Sequence, residues 1–164
     1  ATDRDALVKA LSEGLIDTIA TDHAPHLLEE KQGTLLKAAS GMPGVRFMLP
    51  EMLTLSARDD NALTPERVVE LTAHNPARLF GIERRGFIRP GYYADLVVAE
   101  RTAPFHPSVG EYLPAGLMSP CAWTPYALTE VSCRIALTWV NGAVAFDGTH
   151  VRRAGVKPLR FNVV

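Results

Sequence analysis

Leu7, Val8 and Leu11 recur at the spacing of one helix face, which predicts a helix over residues 3–13 with Gly14 as its C-terminal cap. An apolar, β-branched run follows at once, and a strand is expected from Leu15 or Ile16 through Ala20. Residues 23–44 hold Pro25, Gly33, Gly41, Pro43 and Gly44 and read as a loop long enough to suggest function. Val45, Met48, Leu49, Met52 and Leu53 return to helical spacing, with Pro50 inside the pattern, where a kink or restart is expected. Thr64-Pro65-Glu66-Arg67 is a helix start: Thr64 is the N-cap, Pro65 takes the first helical position, and Arg67 stands where a capping box would want Glu. That helix carries Val68, Val69 and Leu71 and is expected to stop near His74-Asn75-Pro76, before a short second helix from Pro76 to Phe80 that ends at Gly81.

Beyond Gly86 the periodicity shortens to that of strands. Phe87-Ile88, a Pro90-Gly91 turn and a strand over residues 94–99 are expected, then an irregular Pro-rich stretch over 103–125. Two further strands, 134–140 and 143–146, flank Asn141-Gly142, the preferred pair for a two-residue hairpin turn with positive φ at both positions. No internal repeat or low-complexity segment interrupts this order. The chain divides into an α/β part, residues 1–85, and a β part, residues 86–164.

Length and charge narrow the classes. The 164 residues suffice for one solid domain, or for a larger and a smaller unit. Seventeen basic and eighteen acidic residues give a net charge of −1 with no patch or tail, which argues against nucleic acid or an anionic membrane as partner and leaves small neutral or anionic ligands open. No apolar stretch approaches the roughly 20 residues that span a bilayer. Ala1-Thr2-Asp3-Arg4-Asp5 lacks the build of a signal peptide, so a cytoplasmic location is expected. Cys121 and Cys133 are too few and too far apart for a disulfide framework or a metal knuckle, and both are expected to be reduced.

The chemistry concentrates in Thr21-Asp22-His23-Ala24-Pro25-His26, which sets a carboxylate and two imidazoles at the end of the expected strand. Catalytic residues of parallel α/β barrels sit at the carboxyl ends of strands. An Asp there can ligate a metal or take a proton from metal-bound water; its bland alternative is to cap the following loop. Position alone leaves the two level, and the company of His23 and His26 favours the functional one. Ala39-Ser40-Gly41-Met42-Pro43-Gly44 opens onto a helix, so its backbone N–H groups can face an anion, although such Gly and Pro clusters commonly mean a turn.

Asp22-His23-Ala24-Pro25-His26 with Leu27-Leu28-Glu29-Glu30-Lys31 resembles the last barrel motif of the dihydroorotases, cyclic amidohydrolases of pyrimidine biosynthesis. The segment from His74 to Gly81 is similar to the one that closes the barrel in many amidohydrolases. Gly86-Phe87-Ile88, Gly91 and Ala94-Asp95-Leu96-Val97 resemble the start of their small β-domain. Ser119-Pro120-Cys121 and Trp123-Thr124-Pro125-Tyr126 resemble a further dihydroorotase stretch, from which the chain departs at Ala127-Leu128.

The resemblance implies the carboxyl-terminal part of a metal-dependent (β/α)8 TIM barrel followed by strands of a small β-sandwich. A whole barrel needs roughly 200–250 residues, so the rest of the barrel would lie outside this chain. By resemblance Asp22 is catalytic and a metal ligand: it lies beside one or two zinc ions and carries the proton from the attacking hydroxide to the leaving ring nitrogen. His26 pairs with the carboxylate of dihydroorotate, and Pro43 and Gly44 contact the substrate through their backbone. His23 is expected to make a structural hydrogen bond, and Glu29, Glu30 and Lys31 to form a solvated helix start. His74 and Arg78 are expected to pack or hydrogen-bond, and Asp95 to serve a turn or sheet edge. His106 and His150 are isolated.

No His-x-His pair occurs in the sequence. A catalytic zinc takes about three protein ligands, so most ligands are expected from outside this chain and the segment alone is expected to be inactive. The implied activity is the reversible conversion of L-dihydroorotate to N-carbamoyl-L-aspartate. The rivals are a hydantoinase or allantoinase type of cyclic amidohydrolase, and an inactive dihydroorotase-like scaffold for an aspartate transcarbamoylase. A homodimer is also open.

Overall fold

The computed structural model describes residues 2–58, 63–107, 121 and 123–162. Helix α1 (Thr2–Ser12) places Asp3 and Asp5 in its first turn and Lys9 in its last, the charge order that complements a helix dipole. It buries only Leu11. Gly14 takes φ +78° and reverses the chain, as a C-terminal glycine is expected to.

The expected strand over residues 16–20 does not form. A strand exists only as part of a ladder, and among the described residues no second segment pairs with this one. Its backbone is held by helix side chains and one carbonyl instead. Arg67 Nη2 donates to the Ile16 carbonyl (3.0 Å), Asn75 Nδ2 to the Asp17 carbonyl (2.9 Å), and the Ile19 N–H to the Leu71 carbonyl (3.2 Å).

Helix α2 (Met48–Ser56) begins three residues later than the apolar pattern suggests, and this removes the expected kink at Pro50. Pro50 falls in the first turn, where a backbone N–H has no intrahelical acceptor in any case, and the first full-turn bond runs from the Glu51 N–H to the Phe47 carbonyl (2.9 Å). Helix α3 (Pro65–Val69) starts as expected, with Thr64 Oγ1 accepting from the Arg67 N–H (3.2 Å). The expected stop near residues 74–76 is a correction. A π-helical turn (Glu70–His74) leads straight into α4 (Asn75–Leu79), with the Asn75 N–H reaching the Glu70 carbonyl five residues back. Pro76 has no N–H and crowds the carbonyl four residues before it, so a locally wider turn carries the helix across a residue that would otherwise break it.

Leu11, Leu63, Val68 and Leu71 form the core between α1, α2 and α3, with Ile16, Ile19, Leu49, Met52, Leu53 and Leu55 packed around them. Arg67 ties this layer together: Nε donates to the Leu11 carbonyl (2.9 Å), Nη2 to Ile16 as above, and Nη1 pairs with Glu70 (2.8 Å).

In the β part, Phe87-Ile88 forms no strand, and Arg89-Pro90-Gly91-Tyr92 turns with the Tyr92 N–H on the Arg89 carbonyl (3.1 Å) and Gly91 at φ +82°. Strands β1 (Leu96–Phe105), β2 (Val131–Val140) and β3 (Ala143–Phe146) make one antiparallel sheet in the order β1-β2-β3. Asn141 (φ +52°) and Gly142 (φ +83°) close the β2–β3 hairpin as their pairing predicts. Asp95 is structural, as expected: it pairs with Arg85, and its Oδ1 accepts the Asn141 N–H (2.7 Å), fixing the hairpin tip to the chain ahead of β1. His74 stacks on Phe87 (4.4 Å between centroids) and Arg78 lies over the same ring (5.0 Å), the packing roles expected of both. Most of the Pro-rich stretch lies outside the described residues. Cys121 and Cys133 are buried, reduced thiols.

The sheet rests on α2, where Thr54 Oγ1 accepts the Ser132 N–H (2.9 Å). Glu51, also on α2, has its Oε2 enclosed without a hydrogen-bond partner, and burial raises its pKa more than nearby Arg58 lowers it. A raised pKa means the folded chain holds the proton more tightly than the unfolded chain. The stability this contributes is complete below the ordinary Glu range and is lost as pH rises through the raised value. Glu51→Gln should therefore be neutral near pH 4 and stabilising at pH 7, by about 1 kcal/mol or less for this half-exposed group. Urea midpoints across that pH range check it, and a gain that does not depend on pH would refute the cause.

Candidate functional site

Asp22 follows the apolar segment directly and is exposed, with φ +45°. Left-handed backbone costs a non-glycine residue roughly 1 kcal/mol or more, least for Asn and Asp. Its carboxylate makes no hydrogen bond or ion pair with any described residue, so it does not cap the loop as the bland alternative required.

His23 holds the two halves of the site together. Its backbone bridges to Met42 in parallel, and its Nδ1 accepts the N–H groups of Gly44 (3.1 Å) and Val45 (3.4 Å). This is the structural hydrogen bond expected of it. The Ala24 N–H adds a bond to the Met42 carbonyl (3.0 Å). The approach is too close for a side chain at Gly41, where a Cβ would stand 2.5 Å from the Ala24 Cβ, and tight at Gly44, where one would stand 3.2 Å from the Thr21 Cβ. Residues 21–24 and 41–44 are thus one packed unit with Asp22 on its rim.

Pro43 and Gly44 are buried in that unit. The expectation that the segment 39–44 offers N–H groups to an anion narrows at its carboxyl end. Pro43 has none, and those of Gly44 and Val45 are given to His23. What the pair can present to a ligand is carbonyl oxygen and shape.

His26 is half-buried and held at three atoms. Its N–H donates to the Ala24 carbonyl (3.0 Å), its carbonyl accepts from Trp123 Nε1 (2.8 Å), and its Nδ1 lies 3.6 Å from Glu30 Oε2. Glu30 is itself fixed by the Leu27 N–H (2.6 Å). At 3.6 Å the Nδ1 contact with Glu30 exceeds hydrogen-bond length.

Lys31 does not join the solvated helix start expected of residues 29–31. Partly buried, its Nζ donates to the carbonyls of Ala39 (2.5 Å) and Gly41 (2.6 Å) and stands 5.6 Å from the centre of the Trp123 ring. Trp123 also lines a cavity of about 80 Å³ with His23, Pro43, Val45, Arg46, Phe47 and Cys121. Lys31 and Trp123 are the site residues that reasoning from sequence missed, because neither contact has a signature in local spacing. A larger cavity of about 690 Å³ lies between α1 and α2 and touches none of these residues.

Among the described residues no group of three or more His, Cys, Asp or Glu can hold a metal ion. His106 is exposed, and His150 pairs with Asp147 in a turn (3.6 Å). The described residues do not by themselves fit a metal centre.

A family model for the amidohydrolase family matches residues 1–145. The dihydroorotase of Halobacterium salinarum is 42% identical over 148 residues, which are 90% of this chain and 33% of that protein. The dihydroorotase of Methanosarcina acetivorans is 37% identical over 125 residues, 74% of this chain and 25% of that protein. Among solved structures, the L-hydantoinase from Arthrobacter aurescens superposes with a TM-score of 0.78 at 30% identity, over 90% of this chain and 32% of that one. The chain belongs to the amidohydrolase family. It spans about a third of the length of the curated relatives it matches.

Proposed function

We propose that this chain is the carboxyl-terminal segment of a dihydroorotase, acting within a longer polypeptide that interconverts L-dihydroorotate and N-carbamoyl-L-aspartate. Residues 1–85 supply the last strand and helices of a TIM barrel, and residues 86–164 supply part of a β-sandwich. One or two zinc ions, bound mainly by residues outside this chain, complete the site in the cytoplasm. The observation that carries the reading is the unspent Asp22 carboxylate in the same loop as His26, in a chain similar over about 90% of its length to curated dihydroorotases.

The chemistry asked of these residues is limited and balanced. Water adds to the ring amide carbon and the carbon–nitrogen bond breaks. Asp22 takes the proton that the water loses and delivers it to the departing ring nitrogen. His26 holds the ring carboxylate through its imidazole, while Pro43 and Gly44 shape the wall beside it. Once the ring opens, the new carboxyl group and the substrate carboxylate are both part of N-carbamoyl-L-aspartate.

A second reading has one observation in its favour, the likeness to hydantoinase structures, whose rings lack the acidic substituent. The test is hydrolysis by the complete polypeptide of L-dihydroorotate, dihydrouracil and hydantoin, each also with His26→Ala. A dihydroorotase turns over the first, and losing a hydrogen bond to its charged group should raise KM by about 10- to 100-fold. Preference for the neutral rings, with His26→Ala silent, would hand the function to the hydantoinase reading. No turnover of any of the three would favour an inactive scaffold.

A further inference from the structure

We propose that Trp123, 97 residues beyond His26 in sequence, is a positioning residue for the substrate-binding loop, fixing the His26 backbone through its indole N–H and the opposite wall through Lys31. The substrate consequence rests on the function proposed above; the clamp itself does not.

The loop from 23 to 44 has few means of holding its shape. Its regular structure is one short 3-10 turn (Glu29–Lys31), and Leu27, Leu28, Leu35 and Leu36 are exposed. Loops so built open locally at low free energy. Two contacts at its middle oppose this. Trp123 Nε1 donates to the His26 carbonyl at 2.8 Å, and Lys31 Nζ bonds the carbonyls of Ala39 and Gly41 just ahead of Pro43. The ammonium lies 5.6 Å from the centre of the Trp123 ring, within the range of a cation–π contact. One side chain of the β part therefore touches both arms of the loop, one by hydrogen bond and the other through Lys31.

Trp123 is fixed from its own side. The next residue, Thr124, caps a 3-10 turn (Pro125–Leu128) by accepting the Tyr126 N–H (3.2 Å), and Tyr126 packs on Phe47 (5.5 Å between centroids) one residue before α2. The indole is thus anchored to the same helix start that the Gly44 segment leads into. Trp123 touches neither Asp22 nor the reacting bond in this scheme; it sets where His26 stands.

Trp123→Phe in the complete polypeptide keeps an aromatic ring for Lys31 and removes the N–H together with the second ring of the indole. Amide hydrogen exchange over residues 23–44 is expected to quicken by about 2- to 10-fold, the worth of one hydrogen bond. KM for dihydroorotate should rise by a similar factor with kcat little changed, while Trp139→Phe in β2 leaves both alone. Lys31→Met is the second variant and should loosen residues 39–44. Unchanged exchange in both variants would overturn the clamp. Faster exchange with KM unmoved, where His26→Ala does raise KM, would overturn the positioning role. If the polypeptide does not hydrolyse dihydroorotate, the proposed function fails while exchange still decides the clamp.

Discussion

Asp22→Asn in the complete polypeptide is expected to lower kcat for dihydroorotate by about 10²–10⁴-fold, the range for removal of a positioned proton-transfer group. Asn is the informative replacement because of the backbone. At φ +45° an alanine would add left-handed strain to the loss of the carboxylate, whereas Asn accepts that conformation nearly as well as Asp. The packed unit beneath, joined by His23 to Gly44 and by Ala24 to Met42, does not involve the Asp22 side chain. The variant should therefore match the parent in thermal stability and circular dichroism. Its KM should change much less than its kcat, since the function proposed above assigns substrate binding to His26 and the Pro43-Gly44 wall. A kcat within tenfold of the parent would remove Asp22 from the chemistry and leave its conformation without a functional account.

The parts of this molecule legible in its sequence are those decided within a few residues. The Thr64-Pro65 cap, the Asn141-Gly142 turn and the helix ahead of Gly14 each follow from neighbours in the chain, and each forms as expected. Position within the helix decided Pro50: the same residue breaks an interior and is harmless in a first turn, and the apolar pattern places the start of α2 three residues early. The π-helical turn ahead of Pro76 is a tertiary solution, with Leu71 buried in the core and Asn75 holding the Asp17 carbonyl, so continuing the helix satisfied more groups than stopping it. The run from 16 to 20 has the composition of a strand and lacks a partner among the described residues, which no local rule can supply.

The candidate site divides along the same line. Asp22 and His26 stand out because two residue types with chemistry fall together after an apolar run. The residues that hold them in place do not stand out. Lys31 looks like any solvated lysine after two glutamates, and Trp123 lies in a stretch whose turns give no hint of a bond to residue 26. A side chain that acts by reaching a backbone carbonyl leaves no pattern of its own, since every residue offers the same carbonyl.

Gly86→Ala is expected to cost about 3–5 kcal/mol, the largest stability loss of any single methyl group considered for this chain. Gly86 takes φ +78°, and a Cβ there would stand 2.5 Å from the Ala77 Cβ and 2.6 Å from the Ala73 carbonyl oxygen. Ala73 belongs to the π-helical turn and Ala77 to α4, so the clash meets backbone and a short, rigid side chain with nowhere to move. Relief would require the chain after Arg85 to lift off the helix, breaking the His74–Phe87 stack and the Arg78 contact beside it. Gly91→Ala is the matched control. Its φ of +82° is nearly the same, but nothing lies within 4 Å of the new Cβ, so it should lose only the left-handed term of about 1–2 kcal/mol. Chemical denaturation of both variants separates conformation from close approach. Equal losses would mean that the linker after α4 is not pressed on the helix, and a soluble Gly91→Ala beside an insoluble Gly86→Ala would agree with the close approach.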